Sequence, residues 1–296
     1  MNKNLRGAAI LLLAAIIWGF AFVAQSEGME KIGAMTFQAS RMLLGALVLF
    51  PAALFFGKMR EKSTGKKEKF LDKKTLLAGI ACGACLFGAS ALQQIGIAYT
   101  SVGHAGFLTA LYILIVPILG IFAGKRPRAR LWFCIALALI GLYLLCMTGE
   151  GFSMSLGDVL VTLSAFVFSL HIITIDKLAG ALDGVKISFV QTAFTGILSL
   201  VSALIFESPR IGDIAASWLP IAYAGVLSCG VAYTLQIIGQ KYAEPTVASI
   251  VMSLESVFAV LGGALILFQI PTLFELAGCA LMFAATVISQ LPSKQK

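Results

Sequence analysis

Leu235 to Phe258 reads LQIIGQKYAEPTVASIVMSLESVF: an apolar run, a polar break at Lys241 to Pro245, and a second apolar run that carries a carboxylate, Glu255. At about 1.5 Å per residue this carboxylate lies about 14 Å along an apolar helix, near the middle of a hydrocarbon slab about 30 Å thick. A charge at that depth needs a partner, a water-filled cavity or a proton. The stretch also has an echo earlier in the chain. Shifted back by 143 residues, Leu235, Gln236, Ile238, Gly239 and Tyr242 fall on Leu92, Gln93, Ile95, Gly96 and Tyr99, and Ala248, Leu254 and Gly263 fall on Ala105, Leu111 and Gly120. Identities spaced in this way along two helices imply a duplicated unit, residues 1–150 and 151–296. A duplicated apolar chain with a mid-membrane acid points to a transporter.

The composition agrees. Of 296 residues, 59% are hydrophobic and only 12% charged, about half the charge of a soluble domain. The net charge of +8 does not imply a nucleic-acid partner, because the Lys and Arg residues sit in short segments between apolar runs. All six cysteines lie within apolar runs, which argues against a disulfide framework. Cys82 and Cys85 form a CxxC in a Gly/Ala-rich span without a nearby His or acid, so helix packing is the simpler reading. The apolar run after MNKNLR is long for a signal peptide, and removing it would break the two-half symmetry; it is read as the first span.

Ten apolar segments of spanning length follow: Gly7–Ala24, Ala34–Gly57, Thr75–Ala98, Val102–Gly124, Leu131–Thr148, Leu156–Ile175, Ile187–Phe206, Trp218–Gln240, Thr246–Gln269 and Thr272–Gln290. An all-α membrane protein of ten helices is therefore expected. With the N-terminus in the cytoplasm, the inner segments hold two, eight, four, two, one and two basic residues, against only Lys31 and Arg210 outside. That asymmetry places both termini inside. Five spans per half is an odd number, so the halves enter the membrane from opposite sides, as inverted five-helix repeats whose shared site lies near the midplane. Thr36-Phe37 recurs as Ser188-Phe189, with Gln38 matched by Gln191 after one inserted residue. The Lys58–Lys74 segment reads as a solvated linker that could touch anionic lipid.

Candidate site residues are the polar groups within the spans. Glu255 and its repeat mate Tyr112 both fall near mid-depth. Arg41 lies about 10 Å from the outer surface, so the depth gap to Glu255 is about 5 Å, within reach of an Arg side chain. The two are expected to face the central cavity and to be energetically coupled in a substrate or proton site, with an ion pair that merely ties two helices as the alternative. Gln38 and Arg41 share a helical face, as do Tyr233 and Gln236. Together with Gln93, Gln191 and Trp18, which is too deep for an interfacial belt, these residues are expected to line a substrate cavity. His171 is read as a packing residue in preference to a proton relay, and His104 as solvated. Gly79 and Gly83, and Gly120 and Gly124, are spaced to let helices approach closely. No HExxH, GxSxG, GxGD or Walker-type loop is present. No catalytic residue, cofactor or metal is expected.

Trp18-Gly19-Phe20, the run from Arg41 to Leu47, Ala98 to Ser101, Thr109-Ala110-Leu111 and Leu254-Glu255 resemble the drug/metabolite transporter superfamily, with the nearest likeness to its ten-span EamA-domain members. The resemblance covers the whole chain. It implies a basket of two inverted five-helix halves around a central cavity, exporting amino acids or other small metabolites from the plasma (inner) membrane. This chain departs from the pattern twice. Leu254-Glu255-Ser256 stands where members often have Leu-Glu-Pro, and Phe268-Gln269 where they often have Gly-Glu. The expectation is thus an exporter of a small polar metabolite, a uniporter in preference to a proton-coupled antiporter. A lipid-linked sugar flippase and an intramembrane enzyme are the competing classes.

Overall fold

The computed structural model describes residues 3–65, 69–100, 102–122, 124–125, 127–146, 155–266, 268 and 270–291. All regular structure among them is helical. In chain order the elements are α1 Lys3–Gly28, α2 Ala34–Thr64, α3 Lys73–Ile97, α4 Val102–Ala110, α5 Tyr112–Phe122, α6 Ala129–Cys146 and α7 Leu156–Leu178. There follow α8 Gly184–Phe206, α9 Ile211–Ala216, α10 Trp218–Ala222, a π-helical segment Tyr223–Ala232, α11 Tyr233–Gln240, α12 Pro245–Met252, α13 Glu255–Ile266 and α14 Leu273–Gln290. Among the described residues nine helices are long and apolar enough to cross a membrane, and Ala129–Leu145 is a shorter apolar tenth. Helices are what such a sequence must form, since hydrocarbon offers no partners for backbone N–H and C=O groups. Large apolar side chains such as Leu47, Phe55, Leu204 and Phe206 face outward, as a lipid-facing surface requires.

Helix starts are set by polar caps. Asp72 accepts from the Thr75 N–H, Ser155 and Asp158 form a capping box, and Asp183 accepts from Val185 and Lys186. α2 has no cap of its own. The Glu207 carboxylate, at the end of α8, supplies one by accepting from Met35 N, Thr36 N and Thr36 Oγ1 at 2.8, 2.8 and 2.6 Å. Gly33 makes this possible, because a Cβ there would overlap the Glu207 carboxyl. At the opposite end of the same helix pair Arg60 bonds Asp183 at 2.6 Å. α2 also runs beyond the expected Gly57 to Thr64, so part of the Lys58–Lys74 segment is helix; residues 66–68 lie outside the described set.

Two spans are interrupted at equivalent places. The helix breaks at Leu111 between α4 and α5, and at Ser253–Leu254 between α12 and α13. Leu111 N bonds Leu108 O at 3.3 Å and Leu254 N bonds Val251 O at 3.2 Å, each a tightened turn. The second break forms with Ser256 where the resemblance would have proline. Helix contacts also come in matched sets. α3 packs on α7, and α1 on α11; α4 meets α13, and α5 meets α12; α2 packs on α8 and α6 on α14. Gly157 sits against Gly96 and Tyr99, while Gly7 sits against Gly239 and Tyr242.

One glycine expectation holds and one does not. Gly79 and Gly83 lie against Val190 and Gln191 of α8, but Gly120 and Gly124 face no other helix. Gly124 instead ends α5 in the left-handed region, with φ 79°.

Candidate functional site

The interrupted spans bring their broken turns together at the centre of the bundle. There Tyr112 Oη donates to Glu255 Oε1 at 3.0 Å, so two residues 143 apart in sequence are in contact. Both start a helix, α5 and α13, immediately after the break. α1 crosses beside them at Gly19, where a Cβ would collide with the Glu255 carbonyl and the Phe258 side chain. The missing side chain at Gly19 lets α1 come close enough to bring Trp18 to the same space.

A cavity opens here, with about 490 Å³ of empty space that includes its solvent-open part. Arg41, Gln25, Gln93, Thr109, Tyr112 and Glu255 line it. Trp18, Tyr233 and Gln236 complete the polar lining, with Ser228 from the π-helical segment. Phe22, Phe168, Ile172 and Met252 supply apolar wall. The Trp18 and Tyr233 rings pack at 5.0 Å between centroids.

Arg41 is 2% exposed, the largest of the fully buried side chains. Its Nε donates to Gln38 Oε1 at 3.0 Å, its Nη2 donates to the same oxygen, and its Nη1 donates to Gln25 Oε1 at 2.9 Å. Gln38 Nε2 in turn donates to Ser90 Oγ. Gln93 Nε2 donates to Thr109 Oγ1 at 2.9 Å. The neutral carbonyls hold the guanidinium in place without neutralising it.

The structure brings together seven of the nine residues expected from sequence: Trp18, Arg41, Gln93, Tyr112, Tyr233, Gln236 and Glu255 all line the cavity. Four readings are corrected. Arg41 and Glu255 do not form an ion pair: no carboxylate of the described residues comes within 4.0 Å of the guanidinium. Two glutamine carbonyls occupy its donors, and Glu255 takes the Tyr112 phenol instead. Gln38 does not line the cavity, because its amide is used behind Arg41. Gln191 does not either, since its Oε1 lies 3.1 Å from His171 Nε2 in the buried interior. His171 is fully buried and its ring meets Tyr233 edge-on, as a packing residue does. His104 is not merely solvated, with Nδ1 3.7 Å from Asp158 Oδ1. Gln269 lies outside the described residues. Thr109, which shares a helical face with Tyr112, lines the cavity too, and Gln25 is a lining residue that the sequence reading did not select.

The matched contacts and this cavity accord with what comparison finds. The model of the EamA-like transporter family matches residues 5–147 and again residues 155–290. The chain belongs to the EamA-like transporter family. It is similar to an uncharacterized transporter of Archaeoglobus fulgidus, 26% identical across 98% of this chain and 87% of that one. It is also similar to the threonine/homoserine exporter RhtA of Escherichia coli K12, 28% identical across 97% and 92% of the two chains. A solved structure, described only as the crystal structure of a protein, superposes with a TM-score of 0.79 over 96% of this chain at 19% identity, a likeness of fold. Members of this family are membrane transporters, and this chain is a multi-pass membrane transporter.

Proposed function

We propose that the protein exports a small zwitterionic metabolite, an amino acid, by alternating access through the central cavity. The observation that carries this reading is a cation and a carboxylate in one buried cavity that do not pair with each other. A guanidinium has five N–H donors. Three of Arg41's go to Gln25 and Gln38, leaving two, the number a carboxylate accepts in a bidentate contact. Glu255 has an acceptor oxygen beyond the one held by Tyr112, suited to an ammonium. Buried charges are costly alone, so a ligand carrying both opposite charges suits the pair better than an ion of one sign. The name of the RhtA relatives, threonine/homoserine exporters, supports an amino acid.

The frame of this reading is ten spans in two inverted repeats, residues 1–150 and 151–296, with both termini in the cytoplasm. It is supported by the two family matches, the equivalent helix breaks and the doubled contacts. In that frame the Arg60–Asp183 end is cytoplasmic and the Glu207 end faces outward. Nothing but the cavity is required for uniport. Proton coupling would need Glu255 to exchange its substrate contact for a proton.

The test is transport of a panel of radiolabelled amino acids in proteoliposomes, with and without an imposed pH gradient. Saturable movement of an amino acid, abolished by Arg41→Gln, is the expected result. Transport of a substrate without a carboxylate at equal rate would overturn the reading. If the wild type concentrates substrate only when a pH gradient is imposed, and Glu255→Gln merely equilibrates it, uniport is replaced by proton antiport.

A further inference from the structure

Behind Arg41 the hydrogen bonds run in one direction only. Arginine cannot accept, so Gln38 must present its oxygen to the guanidinium, as it does through two bonds. The Gln38 NH₂ group then faces away and, being buried, needs an acceptor. Ser90 Oγ fills that place, and it can do so because its single proton is given to the Leu86 carbonyl one turn earlier in α3, at 2.5 Å. Ser90 and Gln38 are both 0% exposed and neither lines the cavity. The file Arg41 to Gln38 to Ser90 to Leu86 therefore joins α2 to α3 with the direction of each of its bonds set.

We infer that Ser90 is a positioning residue for substrate recognition: through the Gln38 amide it holds Arg41 in the one orientation that leaves two N–H groups directed at the cavity. The inference rests on the reading that Arg41 takes the substrate carboxylate. Without the Ser90 hydroxyl the Gln38 amide loses the acceptor that fixes its rotation. The guanidinium is then no longer held along its Nε–Nη2 edge, and its free donors are no longer aligned as a fork.

The experiment compares an amino acid with its carboxamide, which lacks the carboxylate, in proteoliposomes of wild type, Ser90→Ala and Ser90→Thr. Ser90→Ala is expected to raise the half-saturation concentration for the amino acid about tenfold, the loss of roughly one charge-assisted bond, at a little-changed maximal rate. It is also expected to narrow the preference over the carboxamide. Ser90→Thr, which keeps the hydroxyl, restores both. A lower maximal rate at unchanged half-saturation and preference would make Ser90 a packing residue and overturn the inference. If Ser90→Ala does not fold, Ser90→Cys carries the same test, since a thiol of similar size is a poor acceptor. Failure of the underlying reading looks different: wild type would already fail to distinguish the acid from the carboxamide.

Discussion

Gln38 and Gln93 in the first half correspond by repeat to Gln191 and Gln236 in the second, yet the two pairs live differently. In the first half both amides are committed, Gln38 to Arg41 and Ser90, Gln93 to Thr109. In the second half Gln191 Nε2, Gln236 Oε1 and the His171 Nδ1 beside them are buried without a partner. An unpaired buried polar atom costs about 1–3 kcal/mol. These two amides of the first half are thus fixed by their own hydrogen bonds, whereas their mates in the second half keep atoms unpaired among the described residues. The comparison separates the supports of the cavity: Arg41 is held by groups already committed, and the surroundings of Gln191 and Gln236 keep groups able to take a partner.

The sharpest way to break this contrast is at the charges. Arg41→Gln and Glu255→Gln should each lower transport by about 100-fold, the effect of losing a bidentate or charge-assisted contact of about 3 kcal/mol, measured as initial rate in proteoliposomes. A residual rate within threefold of wild type for both would show that the cavity does not recognise a zwitterion.

The next effect separates the two pairs of amides through stability. Gln38→Leu strands Arg41 and Ser90 and should destabilise the fold by about 3 kcal/mol, read as a lower Tm in detergent. Gln236→Leu, at the mate of Gln93, deletes an orphan acceptor and should leave Tm unchanged or raise it, while slowing transport. Equal losses in both variants would erase the distinction between the committed amides and the unpaired ones.

A smaller effect tests the bond that ties the halves at the Glu207 end. Gly33→Ala pushes the Glu207 carboxyl off the start of α2 and should cost about 1–2 kcal/mol, the worth of a cap. The smallest concerns Asp72, whose carboxyl is held below its ordinary value of 3.8 by its bonds with Thr75. A depressed carboxylate stabilises above its unfolded pKa and loses that contribution as pH falls through the folded one. Stability of wild type should therefore decline slightly below about pH 4, and Asp72→Asn should lack that increment. A pH profile of Tm identical in the two proteins would remove the cap from consideration.

Much of this was legible in the chain. The apolar runs located the spans to within a turn or two, because hydrocarbon leaves the backbone no alternative to helix. The 143-residue echo matches Tyr112 with Glu255, and the two are in contact. Arg41 and Glu255 share the cavity without forming an ion pair, for a definite reason. Depth along a helix is one coordinate, and the other two, azimuth and neighbour, come from packing. Arg41 had uncharged acceptors nearer at hand, Gln38 three residues away on its own helix and Gln25 on α1. Gln25 was passed over because it opens the polar run Gln25-Ser26-Glu27, which reads as the end of a span, whereas α1 continues to Gly28. Gln191 and Gln38 looked like lining residues because polarity within a span signals an inward face, but an inward face can meet another helix as well as a cavity.

The contact between Tyr112 and Glu255 carries a consequence for ancestry. If each half once worked as a separate five-helix protein pairing with its own copy, this position confronted itself across the dimer. Two glutamates there repel and two tyrosines bring no acid, so a self-paired ancestor had one or the other, but never a phenol donating to a carboxylate. Only after duplication could the two sides of such a contact drift apart, and an asymmetric bond between the matched positions is what that divergence would leave.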